Sequence, residues 1–376
     1  MKKTLSILPG VILCLIIMLC GELLSKWLGI GINYLQNLPK ESTSPISGIF
    51  LSIILGLIIR NVIGLHKVFK DGVAFSVKYL LKLGIILLGI RLSFFDVITL
   101  GAWGLPIILV CVICGLIITL WFTNKMNQSH RLGTLTAIGT GICGVTAIVG
   151  TAPAIKANDE ETAYAIANIT VFGIIAMFFY PYLAYYLFEN DPIKAGLFLG
   201  ASIHETAQVA GAALIYSQAF NMPQIIDVAT ITKLTRNALL IIVVPIMSYY
   251  YINRVTKENQ ENFTSPKWYS LIPLFVVGFI VMAIIRTIGD STSVNQGLAF
   301  GLLDPNKWET LWQTLNLLGS KYIMVIAMAG VGLTTNIKVF KGLGIKPFYI
   351  GIAASFSITV IALLMVYLLG GFITLR

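Results

Sequence analysis

Apolar runs of about twenty residues recur along the whole chain, each near the length a helix needs to cross the hydrocarbon core of a bilayer. Eleven can be marked, at approximately 5–24, 46–63, 76–95, 97–122, 132–152, 162–188, 193–218, 225–252, 269–289, 311–335 and 346–373. A backbone placed in hydrocarbon has to satisfy its own hydrogen bonds, so these runs predict helices. The expected fold is all-α: a polytopic membrane protein of about eleven transmembrane helices forming one domain over 1–376, with repeat-containing halves at 46–188 and 193–376. The charged fraction agrees. Only 11% of the 376 residues are charged, against about a quarter in a soluble domain.

The net charge of +10 does not point to nucleic acid, because the basic residues sit in short loops between apolar runs. With a cytoplasmic N-terminus, fifteen of them fall inside, among them Lys67, Lys70, Lys78, Lys125, Lys338, Lys341 and Lys346. Seven fall outside, among them Lys156, Arg286 and Lys307. That bias predicts an N-in, C-out arrangement. Lys2 and Lys3 before the apolar run Leu5–Cys20 imitate a signal peptide, but no small-residue cleavage site follows, and the run reads as an uncleaved first span. Cys111 and Cys114 have CxxC spacing without a second pair or a nearby histidine. They and Cys14, Cys20 and Cys143 read as packing residues. Asn262-Phe-Thr264 matches a glycosylation triplet by pattern only, since its loop is expected in the cytoplasm.

Spans three and four resemble spans ten and eleven. A shift of 241 residues aligns Gly89 with Gly330, Leu92 with Leu333, Gly101 with Gly342 and Pro106 with Pro347. An internal repeat in opposite orientations is a mark of alternating-access transporters.

The polar residues within the apolar runs are few, and they cluster. Gly196–Ile215 carries Ser202, His204, Glu205, Thr206 and Gln208 at its centre. Ionisable groups at that depth face protein or water, so they mark either a functional site or a satisfied interhelical cluster. On a continuous helix Gly200, His204, Gln208 and Gly211 would share one face. The fifth span, with Gly139, Thr140, Gly141, Cys143, Gly144 and Thr146, is a poor continuous helix. It reads as a broken helix lining a cavity, or as a tightly packed one with small residues at an interface. Spans five and seven also align with each other at a shift of 60 residues, Thr146-Ala147 with Thr206-Ala207. The topology makes them parallel whereas an inverted repeat needs them antiparallel, a conflict the sequence leaves open. The sixth span adds Asn168. The eighth adds Lys233, Arg236 and Asn237, with Lys233 about 12 Å into its helix. These cations are either counter-ions of Glu205 or an anion site.

Gly139–Ala147, Ser202–Gly211 and Lys233–Asn237 together resemble the sulfate exporter family of YeiH-like bacterial inner-membrane proteins, over nearly the whole chain. That resemblance implies a multi-pass protein of the bacterial cell membrane that moves a small anion. More distantly, Gly89–Asp96 followed by the fifth span is similar to sodium–proton exchangers and bile-acid transporters. This implies a panel domain and a core domain with crossed broken helices moving as an elevator. The exchangers' paired aspartates are missing here, where the sixth span offers Asn168.

The expectation is therefore a secondary active transporter, a proton-coupled exporter of a small anion such as sulfate or a sulfonate, with its site on spans five to eight. Backbone N–H groups of Gly139–Gly144 would hold the anion, Lys233 or Arg236 would supply charge, and His204 with Glu205 would respond to protons. The partners expected are a small inorganic or organic anion, a proton or sodium ion, membrane lipid, and a second copy of the chain if a homodimer forms. Nucleic acid, metal and cofactor are not expected, and no residue is assigned a catalytic role. Two rivals stay open. A passive anion channel would use the same groups. An intramembrane metallohydrolase is suggested by His204-Glu-Thr-Ala-Gln208, but glutamine cannot replace the second histidine of HExxH.

Overall fold

The computed structural model describes residues 2–35, 47–188, 191–256, 274–336 and 345–372. In chain order the helices are α1 (Lys2–Leu35), α2 (Gly48–Ile58), α3 (Lys67–Phe75), α4 (Leu81–Leu88) and α5 (Phe94–Lys125). Next come α6 (His130–Gly141), α7 (Val145–Thr151), α8 (Asp159–Leu187), α9 (Pro192–Ser202), α10 (Thr206–Phe220) and α11 (Gln224–Ala238). They are followed by α12 (Leu240–Thr256), α13 (Leu274–Gln296), α14 (Pro305–Leu317), α15 (Met324–Thr334) and α16 (Ile345–Leu369). No strand occurs among the described residues, so the protein is an all-α, polytopic membrane protein.

Local chemistry starts several of these helices. Asn158 and Glu161 form a reciprocal capping box at α8, and Asp191 accepts from the first-turn amides of α9, with Pro192 in the position that needs no N–H. Prolines 106, 181 and 245 lie inside helices, as membrane helices tolerate where neighbours take up the freed carbonyls.

Seven helical stretches are long and apolar enough to cross a membrane alone, and α11 with α12, bent by 41°, makes an eighth. The other three marked segments are one short apolar helix, Gly48–Ile63, and two interrupted pairs, α6–α7 and α9–α10. Length and apolarity thus give seven or eight crossings where the sequence marks eleven. The repeat has a counterpart in backbone geometry. A π-helical turn, Ser76–Leu80, leads into α4, and another, Leu318–Ile323, leads into α15. The 241-residue shift carries the first almost onto the second. Gly342, Lys338 and Lys341 of that repeat and its loop lie outside the described residues, as does Asn262-Phe-Thr264.

The chain forms two compact units. One comprises Met1–Thr99, Leu214–Pro223 and Leu274–Lys338; the other comprises Leu100–Ala213, Gln224–Pro273 and Val339–Arg376. Each draws on both halves of the sequence. In the first unit glycine brings helix backbones close. A side chain at Gly72 would collide with the Ile7 carbonyl of α1, and one at Gly332 with the Ile53 carbonyl of α2. In the second unit α6 and α7 pack on one side against α8, through Leu135, Ile148, Ala165 and Ile169. On the other side Ile138, Ile142, Cys143 and Ala147 meet Leu240, Val244 and Met247 of α12.

Candidate functional site

The two interruptions, 142–144 and 203–205, both lie in the second unit, where the sequence places its broken spans. Gly144 shows why the first one forms. Its φ of 72° and ψ of −124° suit glycine and almost no other residue. Its missing Cβ leaves room for Glu205, whose own Cβ would lie 3.3 Å away.

A third helix ties the interruptions together. Gly196 and Gly200 let α9 approach α11 so closely that a Cβ on either would strike Val228 or Thr232. This puts Lys233 and Arg236, both fully buried, beside the last carbonyls of α6 and α9. The Lys233 ammonium donates to the carbonyls of Ile142 (2.8 Å), Ile203 (2.9 Å) and His204. Arg236 donates from Nε to Gly141 (2.8 Å), from Nη1 to Ala201 (2.6 Å) and Ile203 (3.3 Å), and from Nη2 to Thr140. Helix C-termini carry unpaired carbonyls and about half a negative charge each, so two cations there are well placed.

This geometry corrects the expected roles. All three N–H groups of Lys233 are taken by carbonyls, so it has none to offer an anion. Nor does Glu205 form an ion pair with either cation among the described residues; Lys194–Asp191 and Arg286–Asp290 are ion pairs elsewhere. The glycine-rich stretch turns carbonyls, not amides, toward the centre, and the amides of Ile142 and Gly144 stay bonded to Ile138 and Gly139. Gly139 packs on Ile169 of α8, and Gly141 lies beside Leu116 of α5. Thr140 and Ser202 return their hydroxyls to Thr136 and Phe198 one turn back, and Cys143 is held in an apolar cluster.

The other assigned residues reach out to neighbouring helices. The break at 203–205 spoils the single face drawn through Gly200, His204, Gln208 and Gly211. His204 reaches α16, where its Nε2 is 2.7 Å from Ser355 Oγ. Asn168 is pressed onto Gly351 of α16, and Gln208 onto Gly173 of α8, where its Nε2 also donates to Thr170 O at 3.0 Å. The Gln208 bond links α10 to α8. Asn237 donates to the Thr206 hydroxyl at 3.0 Å. What stays accessible is small: Glu205 and Thr206 are half-buried and Thr146 is exposed.

Residues the sequence reading passed over lie on α16. Gly351, Ser355 and Thr359 stand at successive turns and meet Asn168, His204 and Tyr180 in that order. The four-residue spacing of small and hydroxyl residues is the signal that could have found them.

The chain belongs to the family described as conserved hypothetical protein 698, whose model matches residues 9–351. It is 32% identical over 364 residues to the UPF0324 membrane protein SAG1125 of Streptococcus agalactiae, covering 96% of this chain and 98% of the relative. It is 31% identical over 369 residues to the UPF0324 membrane protein FN0533 of Fusobacterium nucleatum, covering 97% and 99%. To a UPF0324 membrane protein of Bacillus cereus it is 32% identical over 344 residues, covering 91% and 92%. The YeiH-like resemblance fits this family.

Proposed function

We propose that this family member is a secondary active transporter, not an enzyme, and exports a small anion such as sulfate or a sulfonate by elevator-type alternating access coupled to protons. The observation that carries the reading is the charge balance around the two interruptions. Lys233 and Arg236 bring two buried positive charges, while the four half-helix ends roughly cancel. Glu205 is the one acidic group in either interruption, so the centre is net positive whether or not it is ionised. A unit anion about 7 Å from one cation gains about 2 kcal/mol at an effective dielectric constant near 20. The anion would be held by the first-turn amides of α10 and the Thr206 hydroxyl, with the cations acting through their field. Protonation of Glu205 would remove the competing carboxylate, so a proton and the anion would be carried together, outward whenever the outward anion gradient exceeds the inward proton gradient. The division into two compact units, one holding both interruptions, supports an elevator. The charge bias supports an N-in, C-out placement in the bacterial inner membrane.

The test is uptake and counterflow by the purified chain in proteoliposomes, across a panel of sulfate, sulfonates and chloride, with an imposed proton gradient. Uphill movement of one anion that collapses with a protonophore is expected. Downhill conductance without accumulation would replace the reading with a passive channel, which the same positive centre would also serve.

A further inference from the structure

A groove of about 620 Å³ lies in the second unit where α5 ends and α16 begins. Its walls are Phe122, Met126, Tyr349, Ile352 and Phe356, and Lys125 and Lys346 stand at one end. Lys125 is the last residue of α5 and Lys346 the second of α16. The chain leaves α5 through a turn at Asn127, with φ 51°, among exposed polar residues, so this end of the groove meets water. The other end is apolar and open: Phe356 is 68% exposed. From Lys346 to Phe356 α16 rises about 15 Å at 1.5 Å per residue. That is half the roughly 30 Å of the hydrocarbon core, the depth of one leaflet. Lys125 is steadied by Trp121, whose ring centre lies 4.8 Å from its Nζ.

We propose that this groove binds an anionic phospholipid, its phosphate between Lys125 and Lys346 and an acyl chain along α16 as far as Phe356. Both lysines fall on the cytoplasmic side of the proposed topology, where anionic headgroups attract basic residues. The groove shares no residue with the interruptions, so this proposal stands independently of the transport reading.

The test uses the full chain purified in detergent, with equal amounts of phosphatidylglycerol and phosphatidylcholine added and the bound lipid counted by native mass spectrometry. Phosphatidylglycerol should be retained preferentially. Lys125→Gln with Lys346→Gln should weaken it roughly 30-fold, the combined effect of two lysines near an anionic surface, and the corresponding double arginine variant should keep it. Lys67→Gln with Lys70→Gln, two exposed lysines on α3, should change nothing. Ala353→Trp fills the groove while leaving both charges, and should also lose the lipid; it decides the matter if the double glutamine chain does not fold. Equal retention of the two lipids, unchanged binding in the glutamine or tryptophan variants, or displacement by millimolar inorganic phosphate would each overturn the proposal.

Discussion

The two sides of the helix interruptions differ more than their shared sequence chemistry suggests. On one side the carbonyl ends of α6 and α9 are closed by Lys233 and Arg236, which are fully buried. On the other side α10 begins, and Glu205, Thr206 and Thr146 keep some exposure. A charged residue inside a membrane protein is a functional candidate by default. Here the more deeply buried pair braces the helix ends and, in the proposed mechanism, supplies the field, while the less buried carboxylate is the group proposed to take up a proton.

The largest effect should come from the closed side. Lys233→Met or Arg236→Met strands several carbonyls in a dry interior, and removing one partner of a buried charged arrangement costs about 3–5 kcal/mol. Neither variant should yield monodisperse protein on size-exclusion chromatography; a folded variant with normal melting would break the comparison. Next is Gly144→Ala. A side chain at that backbone conformation costs about 1–3 kcal/mol, and its neighbour is Glu205, so both stability and transport should fall, read by thermal melting and uptake together.

Ser355→Ala tests the polar contacts along α16. Loss of the hydrogen bond to His204 should lower stability by about 1 kcal/mol, measured as a melting shift in detergent; no shift would mean that contact is idle. The smallest stability change should come from Glu205→Gln, within about 0.5 kcal/mol, because no ion pair is lost. Uptake by that variant should no longer respond to a proton gradient. Proton-coupled transport at the native level in Glu205→Gln would remove Glu205 from the mechanism.

Much of this arrangement was legible in the sequence, because a break in a membrane helix needs local causes. Glycines and threonines at 139–146 and the polar run 202–208 interrupt apolar segments, and the interruptions fall there. The position of Lys233 and Arg236 one turn apart on a neighbouring helix was legible too. Their partners were not. A cation can be satisfied by a carboxylate, an anion or a row of carbonyls, and the choice depends on how closely Gly196 and Gly200 let α11 approach. For the same reason the contacts of Asn168 and Gln208 were not legible, because the glycines that receive them, Gly351 and Gly173, lie on other helices. The count of crossings is where sequence and structure differ: the sequence marks eleven apolar segments, while seven or eight of the described helical stretches are long and apolar enough to cross, the segments split at 142–144 and 203–205 each leaving two shorter helices.

Seven hydrogen bonds from two side chains of α11 converge on the ends of α6 and α9. Ile203 takes one from each cation, so the lysine and the arginine are cross-braced. Mechanically, the half-helices have been given one degree of freedom in place of two. Neither can tilt or shift along its axis without dragging the other, since any relative slip would tear charged bonds in a medium with no water to replace them. Whatever displacement the protein makes, the paired interruptions travel as a single stiff part, and amides flanking both should exchange with deuterium at a common, slow rate.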